Sequence, residues 1–123
     1  MNLVDSCGWI EYFAGSRYAD FYAEAIEDIG NLIVPVICIM EVFKKIYRER
    51  DENGALLALA HMRQGKVIPL TESVSLTAAV MGIENNLPTA DSIIYAVGKI
   101  TDAQILTQDA HFRELENVRF LKV

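Results

Sequence analysis

The chain has 123 residues, of which 52% are hydrophobic, and its 17 acidic and 11 basic residues give a formal net charge of −6. This length fits one domain, and the apolar content excludes a disordered chain. The acidic balance disfavours a protein that coats nucleic acid, because such binding depends on Lys and Arg that neutralise phosphates. A nuclease stays possible, since metal ions can offset the acids of an active site.

No segment of the sequence has the length of a membrane span. The longest apolar run has nine residues, at positions 32–40, and contains Pro35, whereas a span needs about 20. The first residues lack the cationic start and the apolar stretch of a signal peptide. Cys7 and Cys38 form no CxxC pair, which favours free thiols in a reducing cytosol. We therefore expect a cytoplasmic protein without disulfides.

The hydrophobic pattern predicts strands that alternate with helices. In chain order, we predict a strand at 2–5, helices at 6–14 and 17–29, a strand at 32–36, helices at 38–50 and 55–64, a strand at 66–70, helices at 72–85 and 90–100, a strand at 103–107, a short helix at 109–115 and a last strand at 118–121. Asn53-Gly54 is expected to break the third helix, and Pro69 indicates a strand end or an edge strand. Thr89 is the predicted N-cap of the helix that follows it.

This order of elements, without hairpin turns, indicates parallel βαβ units. The predicted fold is a single-domain α/β protein, a three-layer α/β/α sandwich with a central, mostly parallel sheet and right-handed crossovers. In such sheets the working site lies at the carboxyl ends of the strands. Residues at these ends are therefore the first candidates for chemistry.

Four carboxylates are predicted to lie at these ends. Asp5 ends the first strand, Asp109 follows the strand at 103–107, Asp91 lies in the first turn of its helix, and Glu41 lies about one turn into the helix after the second strand. Each has a simpler interpretation. The three aspartates could cap helix N-termini, and Glu41 could be a solvated residue paired with Lys45 at i+4.

Convergence of the four acids would require a counter-charge. Two carboxylates about 4 Å apart repel by about 4 kcal/mol at an effective dielectric constant near 20. Hard divalent ions such as Mg²⁺ or Mn²⁺ prefer oxygen ligands. Two such ions can hold the attacking and leaving oxygens of a phosphodiester in line. The acids together therefore indicate a metal site, provided that they converge.

Four short segments carry these acids in order along the chain. They are VDSCGWIEYF at 4–13, PV at 35–36 leading to EV at 41–42, LPTADSIIYA at 87–96 and LTQDAHF at 106–112. In this order they resemble the motifs of PIN-domain ribonucleases, particularly the VapC-like toxins of toxin–antitoxin pairs. The matches extend over nearly the whole chain, so the resemblance implies one PIN-like domain at 1–123.

The resemblance also implies a function. In this interpretation the catalytic and metal-binding residues are Asp5, Glu41, Asp91 and Asp109, which would bind Mg²⁺ or Mn²⁺ and activate water to cut RNA. Ser6 and Thr107 match hydroxyl positions that orient the carboxylates or the water in the family. The implied partners are an RNA substrate, a cognate antitoxin whose C-terminal segment blocks the site, and a second copy in a homodimer.

Cys7 departs from the family pattern, which has a small hydroxyl or amide residue at this position. It is interpreted either as a packed small residue or as a low-pKa thiol at a helix start. His111 is either a donor to a phosphate or leaving group or a surface residue. Glu11 is either a further acid beside the site or a partner for an arginine.

A basic cluster follows Glu41 on the same predicted helix. Lys44, Lys45 and Arg48 lie three, four and seven residues later, which places them near the same side of the helix. They could hold RNA phosphates or an acidic part of a partner. A solvated face with intrahelical ion pairs is the alternative.

Two other functions fit an α/β domain with acids at its strand ends. A catalytically inactive PIN-like binding module is disfavoured, because all four acids are present. A phospho-acceptor signalling domain would need a second acid beside Asp5 and a lysine after the later strand, and Ser6-Cys7 and Gln108-Asp109 occupy those places.

Overall fold

The computed structural model describes residues 1–123 and contains one five-stranded parallel sheet flanked by helices. The strands stand in the order β3-β2-β1-β4-β5, and every neighbouring pair is parallel. Their bounds are β1 Asn2–Val4, β2 Leu32–Pro35, β3 Lys66–Ile68, β4 Gln104–Thr107 and β5 Val118–Phe120. The predicted three-layer α/β fold is confirmed.

Six α-helices connect the strands. They are α1 Ser6–Ala14, α2 Ala19–Glu27, α3 Val36–Glu49, α4 Glu52–Met62, α5 Glu72–Asn85 and α6 Thr89–Ile100. Two single 3₁₀ turns lie at Ile29–Asn31 and Ala110–Phe112. The first ends the helix predicted at 17–29, and the second replaces most of the helix predicted at 109–115. None of the helices is long and apolar enough to cross a membrane.

The core forms where the central strands meet the first two helices. Leu3, Ile33 and Ile105 on the three central strands are fully buried, as are Trp9 on α1 and Tyr22 on α2. The contact between α1 and α2 depends on Gly8, because a Cβ atom there would lie 2.5 Å from the Tyr22 ring. A glycine therefore lets the two helices approach closely just behind the first strand.

The predicted helix break at Asn53-Gly54 and the predicted N-cap at Thr89 are both wrong. α4 begins at Glu52, because the Asp51 carboxylate accepts a hydrogen bond from the Gly54 N–H at 2.7 Å and caps the helix. Asn53 and Gly54 therefore lie in the first turn of α4 instead of breaking α3. Thr89 is the first residue of α6 and not its cap, since Pro88 occupies the N-cap position without a side-chain hydrogen bond. Pro69 does follow an edge strand, β3, as predicted.

The strand order places a switch in chain direction beside β1. The chain moves outward from β1 to β2 and β3 on one side, then crosses to β4 and β5 on the other. Ligands of open parallel sheets bind in the crevice at such a point, outside the carboxyl ends of the strands. Val4 pairs with Leu106, and the Asp5 N–H donates to the Leu106 carbonyl at 3.0 Å. This register sets Asp5 beside Thr107 at the crevice.

Candidate functional site

Asp5 lies at the bottom of the crevice and is only 4% exposed. It is the N-cap of α1, where its carboxylate accepts a hydrogen bond from the Ser6 N–H at 2.7 Å. Burial raises the pKa of Asp5 from 3.8 to about 6, and the charges of Asp109 and Glu41 act in the same direction. Asp5 therefore caps α1 and is also a buried carboxylate whose ionisation costs free energy. The capping and the metal-binding interpretations of this residue are compatible.

Thr107 joins the ends of β1 and β4. Its buried hydroxyl donates to Asp5 Oδ2 at 2.7 Å and accepts a hydrogen bond from the Asp109 N–H at 2.9 Å. One side chain thus fixes the carboxylate of the first motif and the backbone of the last. This contact gives Thr107 the orienting geometry that the resemblance implied.

Glu41 reaches the site from α3 through Ser6. The Ser6 hydroxyl donates a short hydrogen bond to Glu41 Oε1. The predicted pair of Glu41 with Lys45 is not formed, because Lys45 Nζ lies 3.1 Å from Glu49 Oε1 instead. Glu41 is therefore left facing the other acids rather than neutralised on its own helix.

Asp91 and Asp109 lie on the other side of the crevice, together with His111. His111 Nδ1 is 2.9 Å from Asp109 Oδ1 and 3.2 Å from Asp91 Oδ2. The ligand atoms of the three residues all lie within 4.8 Å of one another. Burial, followed by the charges of Asp109 and Asp5, raises the pKa of Asp91 to about 7, while His111 acts to lower it. Asp109 also caps the 3₁₀ turn by accepting from the His111 N–H.

Asp91, Asp109 and His111 form the one group of potential metal ligands whose atoms all lie within 4.8 Å of one another. Asp5 and Glu41 are not in this group, although the charges of Asp109 and Glu41 help to raise the pKa of Asp5, and the charge of Asp5 helps to raise that of Asp91. A divalent ion at the crevice would offset this repulsion, and the donor set of carboxylate oxygens is one that Mg²⁺ and Mn²⁺ accept. The residues therefore fit the metal that the resemblance implied.

Cys7 lies beside Asp5 and not in a reactive position. Its Sγ is 3.6 Å from both Asp5 Oδ2 and Thr107 Oγ1. Burial and the Asp5 charge raise the pKa of this thiol to about 12. The alternative of a low-pKa thiol at a helix start is therefore wrong, because burial, followed by the Asp5 charge, disfavours the thiolate.

A hydrogen-bond chain beside the acids was not predicted from the sequence. The buried Tyr22 hydroxyl donates to Gln108 Oε1 at 2.9 Å, and Gln108 Nε2 donates to Glu11 Oε2 at 3.1 Å. This chain holds Glu11 at a groove of about 300 Å³ that adjoins the acids. The groove is lined by Ser6, Cys7, Ile10, Glu11, Glu41, Lys45 and Gln108. Lys45 is the only member of the predicted basic cluster among them, while Lys44 and Arg48 are exposed elsewhere on α3.

Replacing Thr107 by valine is expected to weaken metal binding by about tenfold or more, because a residue that orients a ligand is lost. The variant should also lose about 1–3 kcal/mol of stability, since the Asp109 N–H loses its acceptor and Asp5 loses a donor. Isothermal titration with Mn²⁺ and a thermal melt would measure both effects. Thr107→Ser keeps the hydroxyl and is the matched control. Wild-type Mn²⁺ affinity in the valine variant would contradict the orienting role.

The PIN domain family model matches residues 3–118, so the chain belongs to the PIN domain family. Among curated proteins, no relative matches the chain.

Several solved structures share this fold over almost the whole chain. A toxin–antitoxin complex from Klebsiella pneumoniae superposes with a TM-score of 0.82 at 22% identity, covering 97% of this chain and 96% of the other. VapC20 from Mycobacterium tuberculosis, a toxin that cleaves the sarcin–ricin loop, gives a TM-score of 0.74 at 17% identity, with 100% and 98% covered. VapBC2 from Rickettsia felis, bound to promoter DNA, gives 0.74 at 9% identity, with 98% and 96% covered. At these identities the likeness concerns the fold.

Proposed function

We propose that the protein is a metal-dependent endoribonuclease that acts as the toxin of a toxin–antitoxin pair. The observation that carries this proposal is the group of Asp91, Asp109 and His111 at the switch point of a PIN-domain sheet, with the charge of Asp5 acting on Asp91 and that of Glu41 acting on Asp5. Asp5, Glu41, Asp91 and Asp109 are the acidic set that the motifs of the family imply. An inactive PIN-like module would not need to keep all four acids.

Each acid has a support that suits a metal ligand. Thr107 holds Asp5 from β4, Ser6 holds Glu41, and His111 lies against Asp91 and Asp109. Bound Mg²⁺ or Mn²⁺ would supply polarisation of the phosphodiester and activation of the attacking water. The chain itself holds the ligands in place before the ion arrives, which keeps the cost of assembling the site low.

Substrate binding is assigned to the basic residues of α3. Lys45 lines the groove beside Glu41, while Lys44 and Arg48 are exposed on the same helix. These cations follow the acidic site along one helix, so an RNA strand whose scissile phosphate meets the metal could place neighbouring phosphates on them. Lys45 also pairs with Glu49 on the same helix, so the positive charge offered to phosphates rests mainly on Lys44 and Arg48.

The antitoxin is assigned to a series of adjoining surface grooves that leads away from the acids. The groove beside the acids ends at Ile10, which also lines a second groove with Phe13, Ile46 and Arg50. That surface continues to Leu57 on α4, which is 74% exposed. An apolar segment bound along this path would end at the acidic crevice, and a bound partner there would block the substrate.

A homodimer is assigned to the α5 side of the molecule, next to the start of α6. Leu76, Val80 and Ile83 lie on one face of α5 and are all more than half exposed. Beside them a groove of about 470 Å³ between α5 and α6 is lined by Leu87 and Ile93, among others. Contiguous exposed apolar side chains of this kind are typical of subunit contacts.

The function is tested by cleavage of a mixed RNA pool with the purified chain, in the presence of Mn²⁺ or of EDTA. We expect cleavage with Mn²⁺ and none with EDTA, because the carboxylates alone cannot polarise a phosphodiester. Sequencing of the new ends would then identify the preferred cut site. Asp20→Asn, an exchange at an exposed position on α2, serves as the control for the loss of one acidic charge.

Two negative results would have different meanings. Metal binding without cleavage of any RNA in the pool would contradict a general ribonuclease and leave a narrow specificity to be sought among structured RNAs. No cleavage and no metal binding would overturn the proposal and favour the inactive binding module.

A further inference from the structure

His111 is the one member of the group of potential metal ligands at the crevice that is not a carboxylate. Its Nδ1 atom lies 2.9 Å from Asp109 Oδ1 and 3.2 Å from Asp91 Oδ2, although the side chain is 55% exposed. One imidazole nitrogen therefore faces two of the predicted metal-binding carboxylates.

The backbone fixes the ring in this position. The 3₁₀ turn Ala110–Phe112 is capped by Asp109, which accepts the His111 N–H at 2.9 Å. Phe112 anchors the turn from below, because it is fully buried and packs against Tyr95 at a centroid distance of 6.3 Å. His111 is thus held at the rim by a rigid turn rather than by a flexible loop.

The three groups lie close enough together to hold one metal ion. Nδ1 lies near one oxygen of each carboxylate, and the ligand atoms of all three residues lie within 4.8 Å of one another. His111, Asp91 and Asp109 would then offer one nitrogen and two oxygens as donors.

We propose that His111 Nδ1 is a metal ligand, so that the centre has a mixed nitrogen and oxygen donor set and selects a first-row transition ion over Mg²⁺. This inference rests on the proposed metal-dependent function and names the ion class of that same site. Mg²⁺ is a hard ion that prefers oxygen and keeps its waters, whereas imidazole favours transition metals. Ligation would use the Nδ1 lone pair, with the ring proton on Nε2.

The alternative is that His111 acts only as a counter-charge or hydrogen-bond donor to the acids. The two roles differ in one observable property, which is direct bonding between the nitrogen and the ion. Pulsed electron paramagnetic resonance of bound Mn²⁺ detects that bond as a coupling to the nitrogen nucleus. It is independent of RNA cleavage and of the substrate.

The experiment compares the wild-type protein with His111→Asn, which keeps a hydrogen-bond donor near the Nδ1 position but has no imidazole lone pair. Labelling histidine with ¹⁵N assigns the coupling to a histidine ring. The chain offers one control, His61, which lies on α4 among the rings of Trp9, Tyr12 and Phe13. His61→Gln should keep the coupling, and His111→Asn should remove it. If His61→Gln does not fold, the labelled wild-type protein and His111→Asn still make the comparison.

Affinity provides the second readout. We expect His111→Asn to weaken Mn²⁺ binding by about tenfold or more, and to change Mg²⁺ binding by less than about threefold. Bound Mn²⁺ without histidine coupling in the wild-type protein, or equal losses for both ions, would overturn the ligand role while leaving the proposed ribonuclease intact. Failure of the wild-type protein to bind either ion would instead overturn the proposed function, and the inference with it.

Discussion

Replacing Asp5 by asparagine is expected to lower metal-dependent RNA cleavage by at least about a hundredfold and to raise the melting temperature of the metal-free protein. Cleavage falls because a buried metal ligand is lost. Stability rises because the folded protein no longer carries a carboxylate whose pKa is raised to about 6 by burial. At a pH above this value the ionised Asp5 opposes folding, and the exchange removes that cost.

The expected gain is about 1–2 kcal/mol near pH 8, which corresponds to several degrees in the melting temperature. It is smaller than the raised pKa alone would give, because an amide cannot accept hydrogen bonds from both the Ser6 N–H and the Thr107 hydroxyl as the carboxylate does. The gain should vanish near pH 4, where Asp5 is already protonated in the folded state.

Thermal melts in EDTA and RNA cleavage in Mn²⁺ measure the two effects on the same samples. Asp20→Asn is the control, since this exposed residue in the first turn of α2 should at most lose a small helix-dipole contribution. A variant that cleaves RNA as well as the wild-type protein would contradict the role of Asp5 as a metal ligand. A variant that melts at a lower temperature near pH 8 would contradict the view that ionised Asp5 destabilises the metal-free protein.

The position of the acids could be predicted because it depends on few physical rules. Parallel strands end at the same edge of a sheet, so residues just after β1 and β4 have to be neighbours once the order is known. Asp5 and Asp109 follow this rule directly. Thr107 was predicted from the resemblance alone, since nothing in the hydrophobic pattern separates an orienting hydroxyl from a buried strand residue.

The contacts around the acids could not be predicted, because they depend on competition between partners. Lys45 can reach a carboxylate one turn away in either direction, and it pairs with Glu49 rather than Glu41. The break between α3 and α4 lies before the predicted position for a similar reason. The pair Asn53-Gly54 is typical of a turn, but the Asp51 cap stabilises helical backbone through both residues.

Contacts between side chains far apart in the chain could not be predicted from the sequence. Glu11, Tyr22 and Gln108 form one hydrogen-bond chain, yet Gln108 is separated from Glu11 by 97 positions. The sequence leaves the role of His111 open, because that role depends on the distance between its ring and Asp91 on another helix. Such pairs can be identified only when the relative positions of the helices and strands are known.

Metal stabilisation of the folded protein is expected to increase strongly between about pH 5 and pH 8. The pKa values of Asp5 and Asp91 are raised to about 6 and about 7, whereas both acids ionise near 3.8 in the unfolded chain. The folded protein therefore binds more protons than the unfolded chain between about pH 4 and pH 7, and its stability without metal falls as the pH rises through this window. Repulsion by Asp109 adds to both shifts and repulsion by Glu41 adds to that of Asp5, while His111 opposes that of Asp91.

A metal ion has to displace those protons, so at low pH it competes with them. Below about pH 6, the affinity should fall by up to about tenfold per pH unit for each proton released. The increase in melting temperature caused by millimolar Mn²⁺ should therefore be small near pH 5 and largest near pH 8, which scanning fluorimetry at matched ionic strength would measure. In Asp5→Asn the pH dependence should become shallower, because one of the two competing protons is absent. An equal metal-induced shift at both ends of this range would mean that the ion binds elsewhere, since carboxylates with ordinary pKa values would already be ionised throughout it.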